Sequence, residues 1–171
     1  PLFVWALLFA VINPFLHAGA GPNPDVALQV LGDVHNKLIP IAVKGYDGEV
    51  AQVLKFDLEV MGCKIVPEGG ADYLLSGGNR NSVNGILKDA AGNSGFNKRY
   101  NGGNLRQQAH ALSNDVVKAI TGRAGIAHTR ILYKMKTGPR AYEVFVSGYD
   151  GHQPVALTGD NTIVESPLWA P

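Results

Sequence analysis

Cysteine is almost missing from this chain: Cys63 stands alone among 171 residues. An internal disulfide is excluded, and so is a zinc site built on several thiolates. Cys63 opens the apolar run CKIV and reads as a small buried core residue. Charge is scarce too. Charged residues make up 17% of the chain, below the roughly 25% of an average globular domain. A net charge of +1, with no basic stripe and no run of like charge, argues against a nucleic-acid partner and an electrostatic tail. Catalytic signatures are also missing. There is no H-E-x-x-H to bring two imidazoles around zinc, and no G-x-S-x-G elbow; Ser76 in LLSGG lacks the preceding glycine. Asp57, Glu59, Asp89 and Asp115 are scattered, so spacing nominates no carboxylate pair for acid–base work. The expectation is a protein with no cofactor and no metal that is not an enzyme.

Apolar residues are plentiful, at 46%, enough to bury a core. The first twenty, PLFVWALLFAVINPFLHAGA, carry no charge and end in Ala18-Gly19-Ala20. This fits the apolar part of a secretory signal with cleavage after Ala20. Pro14 leaves the uninterrupted stretch short for a membrane span, although an uncleaved anchor is the rival reading. The absent initiator Met and basic start imply that the chain begins inside a longer precursor. Gly21–Pro24 then reads as a flexible lead.

Beyond it, Asp25–Gly32 is a short apolar-rich segment, suited to an edge strand or to remaining mobile. LIPIAV (38–43) has the β-branched content of a buried strand, weakened by Pro40. Gly45-Tyr46-Asp47-Gly48 turns the chain. Val50, Val53, Leu54, Leu58 and Met61 share one face of a helix over Glu49–Met61, ended by Gly62. CKIVPEGG (63–70) predicts a strand and turn, Leu74-Leu75 a short strand, and 82–100 a hairpin turning at Ala90–Asn93. A second helix starts at Asn104, where Gln107 completes a capping box. Leu105, Ala109, Leu112, Val116 and Ile120 share its face, and Gly122 stops it. After Arg123-Ala124-Gly125 the period changes from 3.6 to 2. Ile131, Tyr133 and Met135 alternate along one strand, and Tyr142, Val144 and Val146 along the next. Asp150-Gly151 makes a hairpin, and Val155–Leu157 a further strand.

The order of these pieces carries a resemblance. H-x-x-S-x-D-V-x-x-x-x-TG runs from His110 to Gly122, and G-x-A-H-T-R-I from Gly125 to Ile131. S-x-YDG follows at Ser147, Tyr149, Asp150 and Gly151, and SPLWAP closes the chain. This resembles the TolB family at the junction between its amino-terminal α/β domain and its β-propeller, and the likeness covers the stretch from Asn104 onward best. From Asp25 to Val60 it is softer. Between Cys63 and Asn79 the chain departs from the family, with Glu68–Tyr73 in place of a helix. The resemblance implies an α/β fold: a mixed β-sheet flanked by helices, then the first strands of a truncated β-propeller. The segments would be 1–20 as signal peptide, 21–124 as the amino-terminal domain and 125–171 as the first blade.

The resemblance also implies a monomeric periplasmic adaptor of the Tol-Pal system, serving envelope integrity and cell division. It would bind a TolA-like inner-membrane protein through its amino-terminal segment and a Pal-like lipoprotein through the propeller. The residues matching the TolA-docking segment are Asp25, Val26, Ala27, Leu28, Gln29, Val30, Leu31 and Gly32. An alternating apolar segment can add to a sheet edge, and the plain alternative is an edge strand of its own domain. Two readings of other classes compete. One is the front of a secreted propeller-containing hydrolase. The other is a ligand-binding module using Gly102-Gly103-Asn104 as a phosphate-holding helix start. Of the five histidines, His110 reads as a half-buried imidazole bonded to the sheet or the next domain, and His128 as packing at the junction. Arg130, Lys134 and Lys136 read as a solvated basic edge.

Overall fold

Strand β1 (Ile39–Lys44) forms from the β-branched run read in the sequence, and Pro40 sits inside it without breaking it. Its carbonyl accepts from Asp72 N–H at 2.9 Å. The computed structural model describes residues 37–164 and 167–169, all within one compact unit. The leader 1–20 and the segment Asp25–Gly32 lie outside the described residues.

Helix α1 (Gly48–Val60) follows, burying Val50, Val53, Leu54 and Leu58, and Asp57 with them. The Asp47 side chain does not cap it. Instead Asn79 clasps the Asp47 backbone, accepting from its N–H at 3.0 Å and donating to its carbonyl at 3.1 Å. The chain returns as β2 (Cys63–Ile65), turns through a single 3-10 turn at Glu68–Gly70, and runs on as β3 (Tyr73–Gly78). The expected hairpin is β4 (Asn84–Asp89) and β5 (Ser94–Arg99). These strands make one mixed sheet in the order β2-β1-β3-β4-β5, parallel across β2, β1 and β3 and antiparallel beyond.

Helix α2 (Leu105–Thr121) packs beside α1. Its capping box is formed as read: Asn104 Oδ1 accepts from Gln107 N–H at 2.8 Å, and Gln107 Oε1 from Asn104 N–H at 3.1 Å. Gly122 ends it in the left-handed region at φ 74°. Ile41, Leu75 and Leu87 of the sheet meet Leu54, Leu58, Leu112 and Val116 of the helices in one core, which also holds Cys63. Gln108 joins this layer to the β3–β4 loop, its buried Oε1 accepting from Val83 N–H at 2.8 Å.

The remaining strands form a sheet of their own. Strands β6 (Arg130–Lys136), β7 (Tyr142–Gly148) and β8 (Val155–Ala156) pair antiparallel in the order β6-β7-β8. The alternation read along β7 is only half right. Val144 and Val146 are buried, but so are Glu143 and Ser147 on the opposite face. Residues 158–161 fold over that face: Glu143 accepts from the Thr158 hydroxyl, and from Asn161 N–H at 2.7 Å. Both faces of β7 are thus covered, so polarity no longer marks which way a side chain points. Arg130, Lys134 and Lys136 are exposed, as expected of a solvated edge.

Candidate functional site

Where the helical layer meets the second sheet, five side chains form a buried polar network. Asp57 of α1 is fully buried. Its Oδ2 lies 2.8 Å from His110 Nδ1, and its Oδ1 accepts from the Tyr149 hydroxyl. On the other side of the imidazole, Asp150 Oδ2 lies 3.3 Å from Nε2 and also pairs with Arg106 Nη2. Arg106 Nη1 reaches Glu49 at 2.8 Å. Asp150 Oδ1 accepts from His152 N–H at 3.0 Å. Tyr149 further packs its ring against Phe56 and edge-on to His110.

The local fold explains the convergence. Asp57 sits between Leu54 and Leu58 on the inner side of α1, so burial of that stripe carries the carboxylate inward. Arg106 and His110 are one turn apart on α2 and therefore face the same way. Tyr149 and Asp150 occupy the tight turn after β7, where Gly148 N–H bonds the His152 carbonyl at 3.1 Å. The segment before β6 holds that turn against α2. Ala127 N–H donates to Asn114 Oδ1 at 2.9 Å, and Tyr149 N–H to the Thr129 carbonyl at 3.0 Å. At Gly125 any side chain would start 2.7 Å from Asn114 Cα, so glycine permits this approach.

Electrostatics follow the contacts. Burial alone would raise the Asp150 carboxyl, but the His152 N–H and the Arg106 guanidinium outweigh it and hold the group below the usual carboxylate range. The Tyr149 hydroxyl is pushed up, first by burial and then by its bond to Asp57. Its proton therefore stays in place as the donor to that carboxylate. Both ring nitrogens of His110 face carboxylates, and among the described residues no serine, threonine or cysteine side chain bonds to it. The geometry joins elements: Asp57 and Tyr149 are 92 positions apart in sequence.

Sequence reasoning read His110 as a half-buried imidazole bonded to the sheet or the next domain; it is buried, its nearer partner is Asp57 of α1, and Asp150 of the turn after β7 stands on its other side. Its partners come from two other elements, so local spacing could not reveal them. The available signal was the motif set itself, since His110, Tyr149 and Asp150 each belong to the strings that carried the resemblance. His128 sits at the junction as read, with Nε2 3.3 Å from the Gln107 carbonyl oxygen, yet it is exposed. At the helix start read as a phosphate site, Gly102-Gly103-Asn104, the reciprocal Asn104–Gln107 bonds already use two of the first-turn amides, those of Asn104 and Gln107. Among the described residues no group of three His, Cys, Asp or Glu could hold a metal. No helix described is long and apolar enough to cross a membrane.

Comparison with known proteins supplies the family. No family model matches the sequence. The Tol-Pal system protein TolB of Legionella pneumophila (strain Corby) is 30% identical over 94% of this chain and 46% of its own length. The protein of the same name from Blochmanniella floridana is 38% identical over 39% of this chain and 15% of its own. The crystal structure of TolB from Acinetobacter baumannii matches with a TM-score of 0.65 over 72% of this chain and 39% of that one; at 20% identity this likeness shows the fold alone. The chain spans about half the length of the Legionella relative that it matches almost end to end. With the motif order, the mixed α/β layer and these relatives in agreement, the chain belongs to the TolB family.

Proposed function

We propose that this protein is a periplasmic adaptor of the Tol-Pal system that works by protein–protein docking. In this reading 1–20 is an export signal cleaved after Ala20, 21–124 is the amino-terminal domain, and 125–171 begins a β-propeller. Residues Asp25–Gly32 bind a TolA-like inner-membrane protein, and the propeller meets a Pal-like lipoprotein. The observation that carries the reading is the change of architecture after Gly122. A capped helix ends, and the next strands pair among themselves instead of extending the first sheet. Such a unit gains stability by stacking on further copies. The apolar side chains it leaves exposed, among them Ile131, Met135, Val155 and Leu157, suit that stacking. The relatives are named as components of the Tol-Pal system, which favours an adaptor over the front of a hydrolase.

The docking role of Asp25–Gly32 rests on its composition. An extended apolar segment adds to a sheet edge by backbone bonds and pays an ordering cost, so its binding is reversible. Titration calorimetry against the periplasmic domain of the same organism's TolA tests this. The chain should bind saturably, and a variant with Val26, Leu28, Val30 and Leu31 changed to Ser should not. Equal binding by both would remove the segment from the docking role.

A further inference from the structure

Among the described residues, His110 is the one basic side chain paired with the fully buried Asp57 carboxylate. Arg106, one turn away on α2, directs its two terminal nitrogens to Glu49 and Asp150 instead. Tyr149 donates a hydroxyl proton to Asp57 but brings no positive charge. A buried carboxylate without a counter-charge is costly. The other ring nitrogen of His110 meets a second carboxylate, Asp150, at 3.3 Å, and the side chains of that pair are only 10% and 5% exposed. A neutral imidazole has one N–H and one lone pair. In either tautomer the lone pair would face a carboxylate oxygen, Asp57 at 2.8 Å or Asp150 at 3.3 Å. Only the doubly protonated ring presents N–H to both.

The ionisable groups around the ring come from every element packed on it. Helix α1 supplies Asp57, and α2 supplies Arg106, whose charge is shared between Glu49 and Asp150. The turn after β7 supplies Tyr149, Asp150 and His152. The segment before β6 supplies His128, its ring centroid 6.3 Å from that of His110. His128 and His152 are both exposed, so water screens any charge they carry. Three carboxylates thus stand against one guanidinium, and a charged His110 reduces the imbalance. We propose that His110 is a proton-operated clamp: as an imidazolium it bridges Asp57 of the helical layer and Asp150 of the turn after β7, and loss of a proton loosens the second sheet from that layer. The proton released is the one on Nε2, because the shorter Asp57 contact retains Nδ1–H. The Asp150 side of the bridge therefore opens first. Arg106 still holds Asp150, and Ala127 still bonds Asn114, so the sheet loosens without detaching. A histidine between two carboxylates from different elements has the form of a pH switch.

Nuclear magnetic resonance of the full ¹⁵N-labelled chain tests the clamp in two measurements. Imidazole ¹⁵N shifts are read at about pH 5.5, below the ordinary histidine value near 6.5. Both ring nitrogens of His110 should carry a proton there. A bare nitrogen on that ring would overturn the clamp, because the bridging proton would then belong to Asp57. Amide exchange is next compared at about pH 5.5 and about pH 8.5, either side of that ordinary value, with the intrinsic pH dependence divided out. Protection at Ala127 and Tyr149 should fall about tenfold relative to Leu75 and Leu87 of the first sheet, the size of one charge-assisted contact. His128→Gln and His152→Gln, both at exposed positions, should keep this fall, and His110→Gln should abolish it. An unchanged ratio between the two pH values would sink the proposal, as would a fall that either control substitution removes. The first measurement needs no variant, so the proposal can fail even where His110→Gln does not fold.

Discussion

Asp57 carries more of the structure than its single charge suggests. Its carboxylate is fully buried and shared by His110 and Tyr149, so removing it leaves two polar groups without a partner. Breaking a buried charged contact from one side is expensive. Asp57→Ala should cost about 3 kcal/mol or more, read as a lower urea midpoint. Tyr149→Phe should cost about 1 kcal/mol, because Asp57 keeps His110. A double-mutant cycle that gave simple additivity for the pair would mean that the two side chains do not act through one contact. Gln108 is the neutral counterpart. Gln108→Leu preserves bulk but orphans the buried Val83 N–H, for an expected loss of about 1–3 kcal/mol.

At the scale of elements, α2 ties three separate parts of the chain together. It packs on α1, bonds the β3–β4 loop through Gln108, and receives the segment before β6 through Asn114. Asn104→Ala removes the acceptor for Gln107 N–H, an expected loss of about 1 kcal/mol in thermal or urea unfolding. Gly125→Ala should loosen the attachment of the second sheet more than it lowers global stability. Hydrogen exchange would show this as faster exchange at Ala127 and Tyr149 than at Leu54 or Leu112. Elements were largely legible from the sequence, because each followed a strong local rule. The period of apolar residues gave α1 and α2, a glycine gave their ends, and the Asn104–Gln107 pair gave a cap. What stayed hidden depended on folding back. Glu143 looked like an outward residue until Thr158 and Asn161 covered it. Asp57 looked like one of several scattered carboxylates until Tyr149, 92 positions away, met it. The carboxylates on either side of His110 belong to the same class, since they come from two other segments.

For the molecule as a whole, acid is the condition to which these contacts respond. Asp150 is held low by the His152 N–H and Arg106 despite its burial, and Asp115 by the Tyr100 hydroxyl and Lys98. A carboxyl lowered in the folded state adds stability above its unfolded value, near pH 4. That contribution disappears as pH falls through the lowered folded value. Unfolding free energy should therefore decline below about pH 4 and be steady just above it. The substitution Asp150→Asn should flatten part of the decline.

The lone thiol offers a way to watch all of this. Cys63 is 3% exposed and packed in the common core, and burial raises its pKa, which disfavours the reactive thiolate. A thiol reagent can reach it only when β2, the short edge strand that carries it, parts from α1 or from β1. Its modification rate is a built-in clock for opening of that edge of the core, with no label to engineer and no second sulfhydryl to confuse the reading.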